Sequence, residues 1–182
     1  VYCIPPGHYA LFQPKNKTLY LNLYWDLDKQ ERIQISEKDA AEKFNTLLLQ
    51  SVERRLRSDV SVGTSLSGGL DSASVVAMIR EANKNNTSFS GHAFTARFPG
   101  FEKDEWNYAA AIAEKLQLQH HSVEPTLQGF LDEFETLCFY QEQPIGSSSV
   151  YAQFKVMEAA RREGITVLLD GQGADEIGRA HV

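Results

Sequence analysis

Two hydrophobic rhythms alternate along most of the chain. Ala41, Phe44, Leu48, Val52 and Leu56 recur at steps of three or four residues, the spacing of an amphipathic helix. Ser36 stands before this run as an N-cap, and Asp39 sits where a capping-box acid belongs. Short apolar runs at 60–66, 89–98, 120–123 and 165–169 predict strands. Helical spacing predicts helices over 70–81, 105–116, 127–140 and 149–162, the last closed by Gly164 as C-cap. Such alternation predicts an α/β fold: an open parallel sheet with helices on both faces. Ligands in such sheets bind at the carboxyl ends of the strands. Upstream, 8–13 and 18–25 flank the turn-rich Pro14-Lys15-Asn16-Lys17. Leu19, Leu21, Leu23 and Trp25 alternate with Tyr20, Asn22 and Tyr24, which predicts a half-buried β-hairpin. Residues 26–35 are polar and read as a linker.

Composition narrows the classes. The 182 residues suffice for one domain and a piece of a second. A hydrophobic share of 42% with 23% charged residues excludes disorder for most of the chain. A net charge of -6 offers no basic field for a phosphate backbone, so nucleic acid is not an expected partner. No apolar run approaches the roughly 18 residues a membrane helix needs. Cys3 and Cys138 form no metal spacing and no disulfide framework, which fits a reducing cytoplasm; both are expected as small core residues. The start at Val1, running straight into Pro-Pro-Gly, is read as a cut and not as a signal peptide.

The chemistry sits at two strand ends. Ser65-Leu66-Ser67-Gly68-Gly69-Leu70-Asp71-Ser72 passes from a strand through two glycines directly into a helix. Glycine lets the backbone approach an anion, and the helix N-terminus favours negative charge there. Ser67 and Ser72 add hydroxyl donors. Asp71 would repel a phosphate unless it holds a divalent cation against it. No lysine follows, so this is not GxxxxGK(S/T), and the spacing is not GxGxxG. The second turn, Leu169-Asp170-Gly171-Gln172-Gly173-Ala174-Asp175-Glu176, follows the last strand.

Ser67 through Ser72 resembles the pyrophosphate loop of the ATP pyrophosphatases, which split ATP into AMP and pyrophosphate. The second turn resembles the Ser-Gly-Glu-Gly-Ala-Asp-Glu turn of glutamine-hydrolysing asparagine synthetases. Gly7 through Trp25 resembles the strand pair where that family's glutaminase domain meets its synthetase domain. Asp104 through Ala113, His120-His121 and Pro144 through Gly164 also fit. The resemblance implies a PP-loop fold and a two-step reaction. Aspartate's side-chain carboxylate attacks the α-phosphorus of ATP, then glutamine-derived ammonia converts the adenylate to asparagine and AMP. It implies ATP and Mg²⁺, small-molecule substrates, no membrane, a cytoplasmic enzyme, and allows a homodimer of the full-length parent. By motif position, Ser67, Gly68, Gly69 and Ser72 would hold pyrophosphate. Asp71 and Asp175 would hold Mg²⁺. Leu66, Asp170 and Gly171 would border the nucleotide, Thr95 and Ala96 would lie near adenine, and Gln172 would take the catalytic position.

The departures are specific. Gln172 stands where the family carries glutamate, and an amide cannot serve as a base. Asp170 replaces a serine and adds charge near the nucleotide. Gln141-Glu142-Gln143-Pro144 replaces an Asp-rich turn. These leave open an amide synthetase of the β-lactam-forming or peptide-cyclising type, and a non-catalytic nucleotide-binding protein. Other residues have plainer expectations. His120-His121 are expected as strand residues, Ser147 to Ser149 as helix capping, and Trp106, Tyr108, Phe154 and Met157 as core. Glu105 is expected either at substrate or as a complement to its helix start. The organisation implied is 1–35 from a glutaminase domain with its linker, then 36–176 from a synthetase domain. As an internal fragment it would lack the nucleophilic cysteine and be inactive alone. Residues 177–182, Ile-Gly-Arg-Ala-His-Val, are read as adapter-derived. The sequencing adapter AGATCGGAAGAGCACACGTC encodes these residues when its first two bases close a glutamate codon.

Overall fold

A computed structural model describes residues 3–28, 33–86 and 89–174. The chain divides into two compact units, 1–40 and 41–182. The first holds an antiparallel hairpin of β1 (His8–Gln13) and β2 (Thr18–Leu23), paired from His8↔Leu23 to Gln13↔Thr18. The alternation predicted a half-buried strand, but Leu19, Leu21 and Leu23 are all exposed. A two-stranded ribbon has no second layer of its own to cover an apolar face.

The helix α1 (Glu37–Arg55) starts where the capping pattern places it. Ser36 Oγ accepts from the Asp39 amide at 3.2 Å and donates to Asp39 Oδ2 at 2.7 Å. Of its expected apolar face, Val52 is buried and Phe44 is exposed.

Then follow β3 (Val62–Ser65), α2 (Leu70–Ala82), β4 (His92–Ala96), α3 (Trp106–Lys115) and β5 (Gln119–Val123). α4 (Leu127–Gln141), α5 (Ser149–Arg162) and β6 (Val167–Leu169) complete the unit. β3, β4 and β6 are shorter than their apolar runs, which also cover adjoining loop, whereas β5 begins one residue before its run. Gly164, with φ +73, lies one residue past the C-cap Glu163 and not at the cap.

The four strands form a parallel sheet in the order β5-β4-β3-β6. From β3 the chain steps outward through β4 to β5, then returns to place β6 on the other side of β3. Crossovers in parallel sheets are right-handed, so this reversal moves the covering helices to the opposite face. Leu66, Val76, Ala93, Ala109 and Ala113 form one core, drawing on α2 and α3. Phe94, Val156, Ala160 and Ile165 form the other, under α5. The switch point lies between β3 and β6, where an open α/β sheet leaves a crevice at its strand ends. Both glycine turns leave the sheet there.

Candidate functional site

The turn after β3 is tied internally. Ser72 Oγ donates to the Gly69 carbonyl at 3.1 Å, so its contact with Ser67 Oγ at 3.0 Å receives the proton from Ser67. The Gly69 amide donates to Ser67 Oγ at 3.3 Å and the Ser67 amide to Ser72 Oγ at 3.3 Å. Gly68 adopts φ +90, and a Cβ there would meet the Glu105 carbonyl oxygen at 2.8 Å. Only glycine fits a left-handed backbone this close to the start of α3. Behind the turn, Thr95 Oγ1 donates to the Leu66 carbonyl at 2.5 Å. That spends its proton, so His120 donates from Nε2 to Thr95 Oγ1 at 2.7 Å. Burial, and then the nearby His121, hold His120 below the ordinary histidine value. Trp106 stacks on His120 at 4.7 Å and carries the Arg97 guanidinium over its ring at 5.0 Å.

The second turn docks on the first. A Cβ on Gly171 would lie 2.9 Å from both the Asp71 carbonyl carbon and the Ser72 nitrogen. The two turns therefore meet backbone to backbone, which any side chain at 171 would prevent. Gln153 of α5 donates to Asp170 Oδ2 at 3.1 Å, while Asp170 Oδ1 is buried without a partner.

Three cavities open at this junction; one, of about 830 Å³, is lined by Phe44, Leu48, Val75 and Asp170 through Ala174, and the other two share Ser65 and Ser67. The first of these two, of about 380 Å³, is lined by Leu66, Phe94, Ala96, Phe98 and Val156 among others. The second, of about 340 Å³, is lined by the loop itself, Ser67 and Gly69 through Ser72 but not Gly68, and by Gly171. Ser65, Ser67, Glu105, Asp170 and Gln172 line both. The first has one apolar wall and a polar remainder and is large enough for a nucleoside base; the second presents hydroxyls at the start of a helix, which suits an anion. Carboxylates of Asp71, Asp104, Glu105 and Asp170 outnumber the one lysine, Lys103. A polyphosphate here needs a cation beside it. Asp71, at the first turn of α2, offers the oxygen donor a hard divalent ion takes, alongside phosphate oxygens. Among the described residues, no group of three His, Cys, Asp or Glu side chains could hold a metal alone.

The junction thus gathers Leu66, Ser67, Gly69, Asp71, Ser72, Ala96, Asp170, Gly171 and Gln172. Thr95 departs from the expectation: strand alternation turns its hydroxyl away, to Leu66 and His120. Asp175 lies outside the described residues, as do 177–182. Tyr108 and Met157, expected in the core, are exposed, and so is Cys3. α3 and α5 meet the sheet along narrow stripes that leave Tyr108 and Met157 outside. His120 and His121 are β5 residues. At the start of α3 it is Asp104 whose carboxylate accepts from the Trp106 amide at 3.2 Å, while Glu105 gives no side-chain cap. Ser147 Oγ accepts from the Ser149 amide at 3.2 Å, and Ser148 makes no side-chain cap bond. The structure adds Ser65 and Gln153 to the site. Nothing in their spacing marks them, since a switch-point crevice is assembled from separate strands and helices.

Residues 43–179 match the asparagine synthase family. The chain is 31% identical to the amidase chry2 of Gibberella zeae over 97% of its own length, and covers 28% of that protein. It is 34% identical to a putative asparagine synthetase 2 of Methanocaldococcus jannaschii over 85% of its length, covering 29% of the relative. It thus spans under a third of the length of either. Among solved structures it resembles the NH3-dependent NAD synthetase of Campylobacter jejuni. That match has a TM-score of 0.52 at 18% identity, over 78% of this chain and 60% of that one. That likeness shows a shared PP-loop-type α/β fold. The chain belongs to the asparagine synthase family.

Proposed function

We propose that this chain is part of an ATP-dependent amide ligase that activates the side-chain carboxylate of aspartate and transfers ammonia to it. The observation that carries the reading is the backbone docking of Gly171 on Asp71–Ser72. It joins a cavity with an apolar wall to a hydroxyl-lined loop cavity at one crevice. An adenine nucleotide lying across both places its base beside Leu66 and Ala96 and its terminal phosphates in the loop. The α-phosphate then falls at the residues common to both.

Ser67, Gly68, Gly69 and Ser72 hold the departing pyrophosphate. Both hydroxyl protons are spent inside the turn, on Ser72 Oγ and the Gly69 carbonyl, so the hydroxyls swing from these internal bonds to phosphate oxygens when pyrophosphate is held. Asp71, with Asp175, holds Mg²⁺, which when bound neutralises charge on the phosphates. Thr95 positions Leu66 from behind, Asp170 and Gly171 border the nucleotide, and Gln172 lies where the amine arrives. Residues 1–35 belong to the end of a glutaminase domain that supplies ammonia, residues 36–176 open the synthetase domain, and the enzyme works in the cytoplasm. Aspartate-dependent exchange of labelled pyrophosphate into ATP by the complete gene product tests this reading. No exchange with aspartate, under conditions where ATP binds, overturns the acceptor.

A second acceptor class is favoured by Gln172 and Asp170, which depart from the family's turn, and by the amidase name carried by two relatives. In that reading the same adenylation serves another carboxylic acid, and exchange depends on that acid and not on aspartate.

A further inference from the structure

Among the described residues, four buried side-chain atoms lack a hydrogen-bond partner. Two of them belong to ion pairs, Arg97 with Glu124 and Glu158 with Lys155. The other two, Ser65 Oγ and Asp170 Oδ1, belong to residues that line both cavities of the crevice. An unpaired buried carboxylate oxygen is costly, and costly groups of this kind cluster where a ligand or a reaction uses them.

Asp170 is placed for one use in particular. Its Oδ2 accepts from Gln153, which fixes the carboxylate and leaves Oδ1 with its lone pairs unspent. It adjoins Gly171, whose backbone is pressed on Asp71–Ser72, so its Cα cannot drift from the loop. The residues common to both cavities surround the point where nucleoside meets phosphates. There the acyl group of an adenylate is attached, and there ammonia must attack. Attack leaves a proton to be removed, and Gln172 cannot take it. Glu105 is the other carboxylate common to both cavities, but it is exposed and has no hydrogen-bond partner fixing it.

We propose that Asp170 is the general base of the amide-forming step, an assignment that rests on the ligase reading above. The ammonia lone pair forms the C–N bond at the acyl carbon while the carbonyl π pair moves to oxygen. The nitrogen passes a proton to Asp170 Oδ1. The oxygen pair then reforms the carbonyl, and the C–O bond to phosphate breaks with its electrons leaving on AMP. Asp170 afterwards releases its proton to water.

The test compares two rates in the complete gene product with aspartate, ATP and ammonium chloride: ATP–pyrophosphate exchange and amide formation. Asp170→Asn should lower amide formation about 10²-fold more than exchange, the scale of a positioned base. Adding Gln172→Glu to it places a carboxylate two residues along the same turn and should recover at least about tenfold of that loss. Asp170→Ser is measured in parallel, so that a folding defect in one variant does not decide the outcome. Equal loss of both rates assigns Asp170 to the nucleotide and overturns the proposal. Loss of neither overturns it too, and loss in Glu105→Gln instead names the other carboxylate. Absence of exchange in the unsubstituted protein with any carboxylic acid overturns the ligase reading, and this assignment with it.

Discussion

The two glycine turns at the switch point are built on opposite terms. The first satisfies itself: Ser67, Gly69 and Ser72 exchange four hydrogen bonds within six residues. Its base is anchored by Thr95 and His120 from neighbouring strands. The second takes its shape from outside. Gly171 is positioned by the backbone of the first turn, and Asp170 by one bond from Gln153. A loop with internally paired hydroxyls keeps its path whatever surrounds it. A turn that leans on its neighbours can change side chains without losing its path.

The sharpest way to break this contrast is Asp71→Asn in the first turn. If a cation bridges Asp71 and the phosphates, amide formation should fall about 10³-fold, the equivalent of ~4 kcal/mol at the transition state. ATP binding should change far less. Near-parental turnover at saturating Mg²⁺ would remove Asp71 from this role. Steric dependence comes next. Gly171→Ala drives a Cβ to 2.9 Å from backbone atoms of the first turn. It should cost about 2 kcal/mol, lowering the melting temperature by about 4–8 °C. Gly69→Ala meets only Ser67 Oγ, at 3.4 Å, and should cost less than about 1 kcal/mol. Equal melting shifts for the two would mean the turns do not press on each other.

Gln153→Ala should have a smaller effect. It removes one half-buried hydrogen bond to a carboxylate, about 1 kcal/mol of stability. The freed Asp170 should slow amide formation about tenfold, with exchange little changed. A melting shift with no change in the ratio of rates would confine Gln153 to structure.

The smallest effect is expected in pH. His92 and His120 both titrate below the ordinary 6.5, chiefly because burial disfavours their charged forms. Below that value the unfolded chain binds more protons than the folded one, so stability is complete above it and falls as the solution is acidified. Melting temperature should decline between about pH 7 and about pH 5, and His120→Gln should flatten part of the slope. Glu133 is held below its usual range by the Tyr151 hydroxyl, then by Lys155. Its contribution is present above 4.5 and is lost only at lower pH. A midpoint unaffected by pH across the first interval would show both imidazoles free to charge in the fold.

The sequence alone determined the order of elements from α1 to β6. Helical spacing, the Ser36–Asp39 box and punctuating glycines are local, and local energetics set them. It also determined the first turn, because strand, glycines, hydroxyls and helix start follow one another along the chain. Burial was less legible. Leu19, Leu21, Leu23, Tyr108 and Met157 look like core by residue type, yet they are exposed, since burial depends on which face another layer covers. Only the tertiary structure decided the crevice. Strand order placed β6 against β3 and so set residues about a hundred positions apart in contact, as when Thr64 Oγ1 donates to Leu169 O at a separation of 105. That order put Gln153 beside Asp170 and left one carboxylate oxygen unpaired. No periodicity encodes such neighbours, because they arise from the packing of α5 and β6 and not from any stretch read in series.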